Sequence, residues 1–352
     1  MAFSDPFWNM FTYDIGIDLG TANTLVCVRN QGVTISEPSV VAFNSKTRTV
    51  LAVGSEAQKM LGRTPASIVA IRPLKDGVIS DFDTTKEMIK YFIEKVHKDS
   101  PKFFKIPRPR VVIGIPSAIT EVEKKAVIDA AISAGARKVY LIEEPMAAAV
   151  GIDVPVTEPL GSLIVDIGGG TSDIAVISLG GIVVDKSIRV AGDEMTIDIV
   201  NYIRSKYNLL IGERTAEEIK IKLGNAYPRK DNKSMEIKGR DILLGLPKVI
   251  KISEVEVREA MSNSLNIIIE AISEALEETP PELIADITNS GIYLTGGGAK
   301  ISGIDKLFLE KLKIPIIVSD DPLSSVVLGA SKILEDLSLL ENISYSDSEE
   351  FL

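Results

Sequence analysis

The residues best suited to chemistry lie in two similar stretches of this 352-residue chain. Residues 17–24 read IDLGTANT, and residues 165–172 read VDIGGGTS. In both, an apolar strand ends near an Asp, and a glycine-containing turn leads into a β-branched run. A hairpin of this kind offers several backbone N–H groups to a bound anion. Two copies in one chain therefore predict a duplicated domain that clamps a phosphate between facing turns. Two ordinary hairpins are the weaker alternative, because turn chemistry alone poorly explains an Asp beside each turn.

The composition narrows the chemistry that such a site can perform. The formal net charge of −10 argues against nucleic acid as the main partner. A single histidine, His97, and a single cysteine, Cys27, nearly exclude a His/Cys metal site and a Cys–His or Ser–His catalytic pair. One cysteine also excludes a disulfide framework and fits a reducing compartment. No apolar run is long enough to span a membrane. Chemistry here must use carboxylates, hydroxyls, backbone amides and, at most, a hard cation.

The elements that must position these residues follow the same order in each half of the chain. Each half begins with its hairpin, residues 15–28 and 163–177, and continues with strands that alternate with helices. The length suggests two to three domains, and the alternation is typical of α/β proteins. The sequence therefore predicts an α/β protein with two similar halves, followed by an acidic, polar tail that is disordered.

Taken together, these motifs resemble the actin, Hsp70 and sugar-kinase superfamily. Two phosphate hairpins, a connecting segment at residues 143–149 and an adenosine turn at residues 295–299 match that superfamily. In detail the chain is similar to the MreB family of bacterial actins, over roughly residues 12–337. The stretches that carry this similarity are IDLGTANTLV, residues 108–116, IEEPMAAAVG, residues 166–173, AGDEMTIDIV and GERTAEEIKIKLGNAYP.

The resemblance implies a duplicated actin-like (ribonuclease H-like) ATPase fold. Two domains, each with a smaller subdomain, would enclose a nucleotide cleft. The implied division is residues 12–36 and 78–150 for subdomain IA, 37–77 for IB, 151–187 and 250–337 for IIA, and 188–249 for IIB. An apolar N-terminal segment, residues 1–11, and an acidic tail, residues 338–352, would lie outside these subdomains.

The same resemblance assigns ATP and Mg²⁺ to the cleft. Asp18 and Asp166, at the two strand ends, are expected to hold Mg²⁺ through its waters, because this ion sheds water reluctantly. The alternative for each Asp is that it caps its own turn. The first turn would offer amides to the β-phosphate, and the second would approach the γ-phosphate, where a Cβ would hold the backbone away. The residues concerned are Gly20, Thr21, Ala22 and Asn23 in the first turn, and Gly168, Gly169, Gly170 and Thr171 in the second.

Glu144 is the group expected to position and partly deprotonate the attacking water. It directly precedes Pro145, which suits the start of a helix, so the backbone would fix where its carboxylate points. The resemblance assigns the role to Glu144 rather than Glu143, and Thr171 could hydrogen-bond the same water. The alternative for Glu144 is a favourable charge at a helix N-terminus.

Adenosine recognition is assigned by the resemblance to residues that follow the two hairpins. Glu217 and Lys220 lie three positions apart, on one face of a predicted helix, and could flank a ribose and base. A surface ion pair is the plainer interpretation of these two residues. The glycine turn before Lys300 would allow close approach of the purine. The full set is Gly192, Asp193, Glu217, Lys220, Gly296, Gly297, Gly298 and Ala299.

Two apolar features suggest contact with an anionic membrane surface. The first would be one face of a short N-terminal helix, although residues 1–12 contain no Lys or Arg; the second is an aromatic pair among basic residues. The residues are Phe3, Phe7, Trp8 and Phe11 in the first feature, and Phe103 and Phe104 in the second. The resemblance implies membrane binding through an N-terminal segment, a hydrophobic loop, or both. Packing of these aromatics onto the domain or into a filament interface is the alternative.

The function that the resemblance implies is an ATPase whose filaments, in the cytoplasm at the inner face of the cell membrane, organise cell-wall growth and rod shape. Its partners would be further copies of the chain, the anionic membrane and wall-elongation proteins of the MreC, MreD and RodZ type, with no nucleic acid. Two other classes stay open. An Hsp70-like chaperone would need a substrate-binding domain after the ATPase core. A small-molecule kinase would need a sugar-sized pocket and an acceptor-side base.

Overall fold

Two large mixed sheets dominate the structure, a computed structural model that describes residues 12–98 and 108–336. The first sheet contains β1 (Ile15–Leu19), β2 (Asn23–Val28), β3 (Gly32–Pro38), β9 (Arg110–Ile115) and β10 (Lys138–Glu143). The second contains β11 (Ser162–Ile167), β12 (Ser172–Ser178), β13 (Gly181–Ile188), β17 (Ile292–Thr295) and β18 (Ile316–Val318). Their orders, β10-β9-β1-β2-β3 and β13-β12-β11-β17-β18, are equivalent when one is read in reverse. The duplication that the two hairpins predict is therefore confirmed.

The same connections build both sheets. A three-stranded antiparallel meander comes first, β1-β2-β3 in one half and β11-β12-β13 in the other. Two strands are then added in parallel beside the first strand of each meander. The central strands β9 and β11 are buried along their whole length. Burial along a whole strand is typical of strands whose two faces are both covered by other elements.

Helices cover the two sheets and form three main cores. The helices are α1 (Ser55–Met60), α2 (Phe82–Lys98), α3 (Glu121–Ser133), α4 (Glu144–Gly151), α5 (Gly192–Tyr207), α6 (Glu213–Leu223), α7 (Glu254–Glu278), α8 (Pro281–Ser290), α9 (Ile304–Leu312) and α10 (Ser325–Glu335), with a 3₁₀ turn at Gly297–Lys300. One face of the first sheet packs on α2 and α3. One face of the second sheet packs on a larger set that includes α5, α6 and α7.

The third core lies between the sheets and joins them. Helices α4 and α10 contribute most of it, and they pack against Val112 of the first sheet and against Ile164 and Ala175 of the second. The two halves therefore share one apolar centre made of a pair of helices.

Two small three-stranded sheets extend the halves. Strands β4 (Val41–Asn44), β5 (Val50–Val53) and β6 (Ile68–Ile71) form the first, and a two-stranded hairpin, β7 (Leu74–Lys75) with β8 (Val78–Ile79), follows it. Strands β14 (Leu209–Leu210), β15 (Ser234–Asp241) and β16 (Pro247–Ser253) form the second. Strand β16 pairs with β15 as far as Ser253, so a subdomain boundary fits better after this strand than at residue 249.

Two helices add to the elements that the sequence indicates. Helix α8 begins at Pro281, directly after Pro280, and two adjacent prolines suggest a break in the chain. Proline is tolerated at the first helical position because the missing N–H has no helical partner there. Helix α9 is short and lies between two residues in the left-handed region, Gly303 and Lys313.

The crossing of α4 and α10 depends on two glycines. A Cβ placed on Gly329 would lie 1.8 Å from the carbonyl oxygen of Ala147, and one on Gly151 would lie 2.0 Å from that of Ser325. These contacts are with backbone atoms, which cannot swing aside. Lys332 of α10 adds a polar contact, because its ammonium group donates to the carbonyls of Val150 and Gly151 at 3.1 and 3.0 Å.

Substituting Gly329→Ala should therefore destabilise the protein. The added methyl group would force the two helices apart, and overpacking of this kind costs about 1–3 kcal/mol. Gly181→Ala is the matched control, because a Cβ at Gly181 would come within 4 Å of one atom of the described residues, the carbonyl oxygen of Ser178 at 3.9 Å. The midpoint of thermal unfolding should fall for Gly329→Ala and stay close to the parent value for Gly181→Ala. Equal midpoints for the two variants would show that the helices can separate freely.

Candidate functional site

Asp18 and Asp166 occupy equivalent places in the two sheets. Asp18 lies near the end of β1 and pairs with Gly114 of the parallel neighbour β9. Asp166 lies near the end of β11 and pairs with Thr295 of β17. Ligands of open α/β sheets bind at the carboxyl ends of such strands. The two predicted metal residues therefore lie at the edges where a ligand would be expected.

Glu144 belongs to the same group of carboxylates. Strand β10 ends at Glu143, and α4 begins at Glu144 with Pro145 in its first turn. A Cβ on Gly114 would lie 3.5 Å from Cγ of Glu144, an ordinary contact distance, so the Glu144 side chain lies beside β9. The glycine itself is required by α10, because the same Cβ would lie 2.8 Å from Cγ1 of Val326.

Burial and mutual repulsion raise the pKa values of these carboxylates. Burial raises the pKa of Asp18 to about 7. The pKa of Asp166 lies well above its usual value because of burial and then the charges of Asp18 and Asp173. The pKa of Glu144 is raised well above its usual value by burial and then by Asp173, Asp18 and Asp166. Among the described residues, no positive charge contributes to these shifts. We call Asp18, Glu144, Asp166 and Asp173 the carboxylate cluster.

Asp173 is a member that the sequence did not indicate. It lies opposite Asp166 in the β11–β12 pair and is almost completely buried. Its Oδ1 atom accepts a hydrogen bond from the backbone N–H of Ser117 at 3.4 Å, whereas its Oδ2 atom has no hydrogen-bond partner. Burial raises its pKa, while the hydroxyls of Ser187 and Thr171 act in the opposite direction. A buried carboxylate oxygen without a hydrogen-bond partner lowers the stability of the fold unless a ligand provides that partner.

The neighbouring carboxylates Glu143 and Glu144 face different surroundings. The pKa of Glu143 is raised by burial and the charge of Asp185, and lowered by Lys124. None of these groups belongs to the carboxylate cluster. The structure therefore places Glu144, and not Glu143, among the carboxylates beside the two turns.

The two glycine turns face each other. A Cβ on Gly169 would lie 2.8 Å from Cβ of Ala22 and 3.1 Å from its backbone nitrogen. A Cβ on Gly170 would lie 2.8 Å from Oγ1 of Thr21. The first turn is itself tight, since a Cβ on Gly20 would lie 2.5 Å from the carbonyl oxygen of Asn23. In the second turn, Gly168 N–H donates to the carbonyl of Thr171 at 2.9 Å. Small residues are thus required where the turns meet.

The predicted adenosine residues form a network of their own. The Lys220 ammonium donates to the carbonyl of Gly192 at 2.6 Å and to Oγ1 of Thr196 at 3.0 Å, and it contacts Glu217 at 2.7 Å. A lysine has three donors, and all three are used here. Lys220 therefore holds the start of α5, while the Glu217 side chain remains partly exposed. The ion pair that the sequence offered as the plainer interpretation is present.

The turn at residues 296–299 packs against the end of β11. Gly296 has a left-handed φ of 79°, and a Cβ there would lie 2.2 Å from Oδ1 of Asp166. A Cβ on Gly298 would lie 2.2 Å from Cγ2 of Ile167. Gly297 faces Leu323 instead, and Ala299 is buried. Glycine is therefore required at 296 and 298 by contact with the protein, whatever ligand binds nearby.

Some of the predicted residues cannot be placed. Phe3, Phe7, Trp8, Phe11, Phe103 and Phe104 all lie outside the described residues. The predicted membrane contact therefore stays a prediction from sequence.

The carboxylate cluster fits a cation that keeps its waters. Among the described residues, no group of three or more His, Cys, Asp or Glu side chains is arranged to hold a metal ion directly. Mg²⁺ commonly retains several waters and binds through one or two carboxylates together with substrate phosphates. Asp18 and Asp166 would hold such an ion through its waters, and its charge would offset the repulsion within the cluster.

Removing one charge from the cluster should stabilise the ligand-free protein. A raised pKa means that the ionised Asp166 is less favourable in the folded chain than in the unfolded chain, so at pH 7 it lowers folding stability. We expect Asp166→Asn, measured in a metal chelator, to raise the melting temperature by about 2–4 °C for each kcal/mol of relief. This gain in melting temperature should shrink as the pH falls, because Asp166 of the folded parent then becomes protonated and loses its charge.

Asp320→Asn is the control for this substitution, since Asp320 is exposed and lies outside the cluster. Its melting temperature should match that of the parent. A lower melting temperature for Asp166→Asn would contradict the repulsion and would favour the alternative in which Asp166 caps its own turn.

Comparison with known proteins gives the family of the chain. The family model described as MreB/Mbl protein matches residues 12–342. Cell shape-determining protein Mbl of Bacillus cereus is 50% identical over 331 residues, which cover 94% of this chain and 98% of that protein. Cell shape-determining protein MreB of Escherichia coli is 48% identical over 337 residues, which cover 95% of this chain and 96% of that protein.

Solved structures agree with the sequence matches. The crystal structure of MreB5 of Spiroplasma citri bound to ADP has a TM-score of 0.87 and 40% identity, covering 96% of this chain and 100% of that one. The structure of the same protein bound to AMPPNP also has a TM-score of 0.87, with 41% identity, and the match covers 94% of this chain and 98% of that one. These likenesses confirm the predicted actin-like α/β fold. From the fold, the site and these matches together, the chain belongs to the MreB/Mbl family.

Proposed function

We propose that the chain binds ATP with Mg²⁺ between its two glycine turns, hydrolyses it, and assembles into membrane-associated filaments that organise cell-wall growth and cell shape. The observation that carries the proposal is the carboxylate cluster beside two facing glycine turns. The cluster needs a cation, and the turns offer backbone amides to an anion. A metal-bound triphosphate supplies both.

Family membership supports the nucleotide. MreB5 of Spiroplasma citri, which is 40% identical to this chain, was crystallised with ADP and also with AMPPNP. Where the two turns meet, the second turn has only glycines, Gly169 and Gly170, facing the small side chains of Ala22 and Thr21. Gly20 to Asn23 would bind the β-phosphate, and Gly168 to Thr171 the γ-phosphate. When bound, Mg²⁺ would neutralise phosphate charge and lower the pKa values of Asp18 and Asp166.

Glu144 is proposed to orient the attacking water and accept its proton. Its carboxylate lies in the cluster, at the start of α4, where Pro145 and the buried alanines that follow hold the helix in place. Thr171, which is buried in the second turn, is proposed to hydrogen-bond the same water. Transfer of a phosphoryl group to water needs positioning and charge stabilisation more than covalent chemistry. The groups of this site supply both.

Replacing Glu144 should stop hydrolysis without abolishing nucleotide binding. We expect Glu144→Ala to lower phosphate release by about 10²-fold, the usual scale for a lost general base. Glu143→Ala is the matched control, because Glu143 faces Asp185 and Lys124 instead of the cluster. Single-turnover phosphate release and ATP binding would be measured on all three proteins. Equal losses in the two variants would contradict the assignment.

Self-assembly is proposed from the family and the construction of the cleft. The halves share an apolar core at α4 and α10, whereas polar contacts join them beside the turns. Domains on either side of a nucleotide can rotate when the γ-phosphate is lost. We propose that this rotation couples hydrolysis to assembly. Pelleting with ATP, compared with pelleting without nucleotide, tests the coupling.

The described residues that flank the two predicted membrane segments, residues 1–11 and 99–107, contact one another. The His97 ring, near the end of α2, contacts Oγ1 of Thr12 at 3.0 Å and accepts from the backbone N–H of Tyr13 at 3.0 Å. The backbone N–H of Arg110 donates to Oδ1 of Asp14 at 2.9 Å, and its Nε donates to Oδ2 at 2.8 Å. Residues 12–14 therefore contact His97 on one side of residues 99–107 and Arg110 on the other side. Within the described residues, no helix is both long and apolar enough to cross a bilayer.

This shared attachment point supports membrane contact by the two segments acting together. Burying one Phe side chain contributes about 1.5–3 kcal/mol, and a basic residue near an anionic surface adds about 1 kcal/mol. Each segment alone would bind weakly, but many copies in a filament would bind firmly. The cytoplasmic face of the cell membrane is the proposed location, and wall-elongation proteins of the MreC, MreD and RodZ type are the proposed partners.

Membrane attachment should be lost when both segments are removed. The test variant combines Phe103→Ser and Phe104→Ser with deletion of residues 1–11, and we expect no pelleting with anionic vesicles but unchanged ATP hydrolysis. Leu160→Ser with Leu179→Ser is the control, since these exposed leucines lie elsewhere in the chain. Salt should weaken vesicle binding more for the protein that lacks residues 1–11 than for the variant with Phe103→Ser and Phe104→Ser. The reason is that the basic residues flank Phe103 and Phe104 in the sequence. Continued pelleting of the combined variant would place the membrane surface elsewhere.

A further inference from the structure

An ion pair crosses the cleft beside the glycine turns. Nη1 of Arg72 donates to Oδ1 and Oδ2 of Asp193, each at 3.0 Å. Arg72 follows strand β6 in the first half of the chain, and Asp193 lies in the first turn of α5 in the second half. Both side chains are about one-third exposed, at 35% and 30%. The pair is therefore open to solvent at its edge, and it can form only when the two halves approach each other.

The residues that follow Arg72 touch both glycine turns. Asp76 and Gly77 form the tight turn of the β7–β8 hairpin, and both have a left-handed φ, of 51° and 76°. The backbone N–H of Gly77 donates to Oγ1 of Thr21 in the first turn at 3.0 Å. A Cβ on Gly170 of the second turn would lie 2.9 Å from Cα of Asp76. Displacement of either glycine turn would therefore shift residues 76–77 and, through them, the segment that carries Arg72.

Asp193 is tied to the second turn by its backbone. Its N–H donates to the carbonyl of Gly169 at 2.7 Å, and the N–H of Gly192 donates to that of Gly168 at 3.2 Å. Lys220 binds the carbonyl of Gly192 from the other side. Asp193 is thus fixed to the turn that would approach the γ-phosphate, and its carboxylate reaches back to Arg72.

We propose that Arg72 and Asp193 form a latch across the cleft, which must open before bound nucleotide is released. The proposal rests on the ATP site proposed above and adds the control of nucleotide release. An interaction that exists only in the closed arrangement stabilises that arrangement by its own free energy.

The latch predicts how two single substitutions and their combination affect nucleotide release. Arg72→Gln and Asp193→Asn should each speed the dissociation of a fluorescent ATP analogue, chased with unlabelled ATP in Mg²⁺, by about threefold to tenfold. That factor corresponds to roughly 0.7–1.4 kcal/mol, a reasonable contribution for a partly exposed ion pair. The double variant should release no faster than the faster single variant, because the two changes remove one shared interaction. Melting temperatures of all variants would establish that they are folded.

Arg48→Gln is the matched control. Arg48 pairs with Asp81 at 2.9 Å, and both residues belong to the first half, so the same loss of charge does not affect the cleft. Its release rate should equal that of the parent. Raising the salt concentration should speed release from the parent more than from the double variant, because only the parent has the Arg72–Asp193 pair to screen.

Each other outcome overturns a different part of the account. If folded Arg72→Gln releases nucleotide at the parent rate, there is no latch, and the ATP site is unaffected. If only Asp193→Asn is faster, Asp193 contacts the nucleotide directly and the latch is wrong. If the parent does not bind the analogue in Mg²⁺, the proposed ATP site fails and the latch fails with it.

Discussion

Repulsion among four carboxylates is the constraint on which the site depends. Asp18, Glu144, Asp166 and Asp173 come together because the ends of β1 and β11, the start of α4 and the start of β12 meet at one place. Burial and like charge raise their pKa values, so at neutral pH this arrangement opposes folding. The surrounding structure must hold the strands and α4 firmly enough to keep the charges together. Such local destabilisation is common at binding sites, where the residues serve the ligand more than the stability of the fold.

The apolar centre between the sheets supplies that support. Helices α4 and α10 cross at Gly151 and Gly329, where each glycine lies directly against the backbone of the other helix. The ammonium of Lys332 then binds the last carbonyls of α4, so the helix that begins with Glu144 is fixed at both ends. At the other side of the cleft the halves meet through polar groups, such as Arg72 with Asp193. Polar contacts can exchange with water at little cost, whereas the apolar centre cannot. The halves are therefore expected to move about the helix pair.

The parts of the site that sequence could predict are those set by local structure. Asp18 and Asp166 follow from strands that end near a glycine turn, whereas the choice of Glu144 over Glu143 came from the family resemblance, and its catalytic role stays a prediction. Asp173 reads as an ordinary strand residue, and only the approach of Ser117 and Glu144 from other elements shows its place. Arg72 was missed for the same reason, since its partner is far along the chain. For Lys220, the structure adds hydrogen bonds to α5 and an ion pair with Glu217, while its place beside a ribose and base stays a prediction.

We propose that the carboxylate cluster needs a cation before the site can accept a triphosphate. Isothermal titration calorimetry of the parent protein with ATP, in excess Mg²⁺ and then in a metal chelator, measures this most directly. We predict at least about tenfold tighter binding with Mg²⁺, a difference of roughly 1.4 kcal/mol, because free ATP would add charge to a site already crowded with carboxylates. Equal affinity in the two conditions would contradict it, since the phosphates would then bind without any cation to offset Asp18 and Asp166.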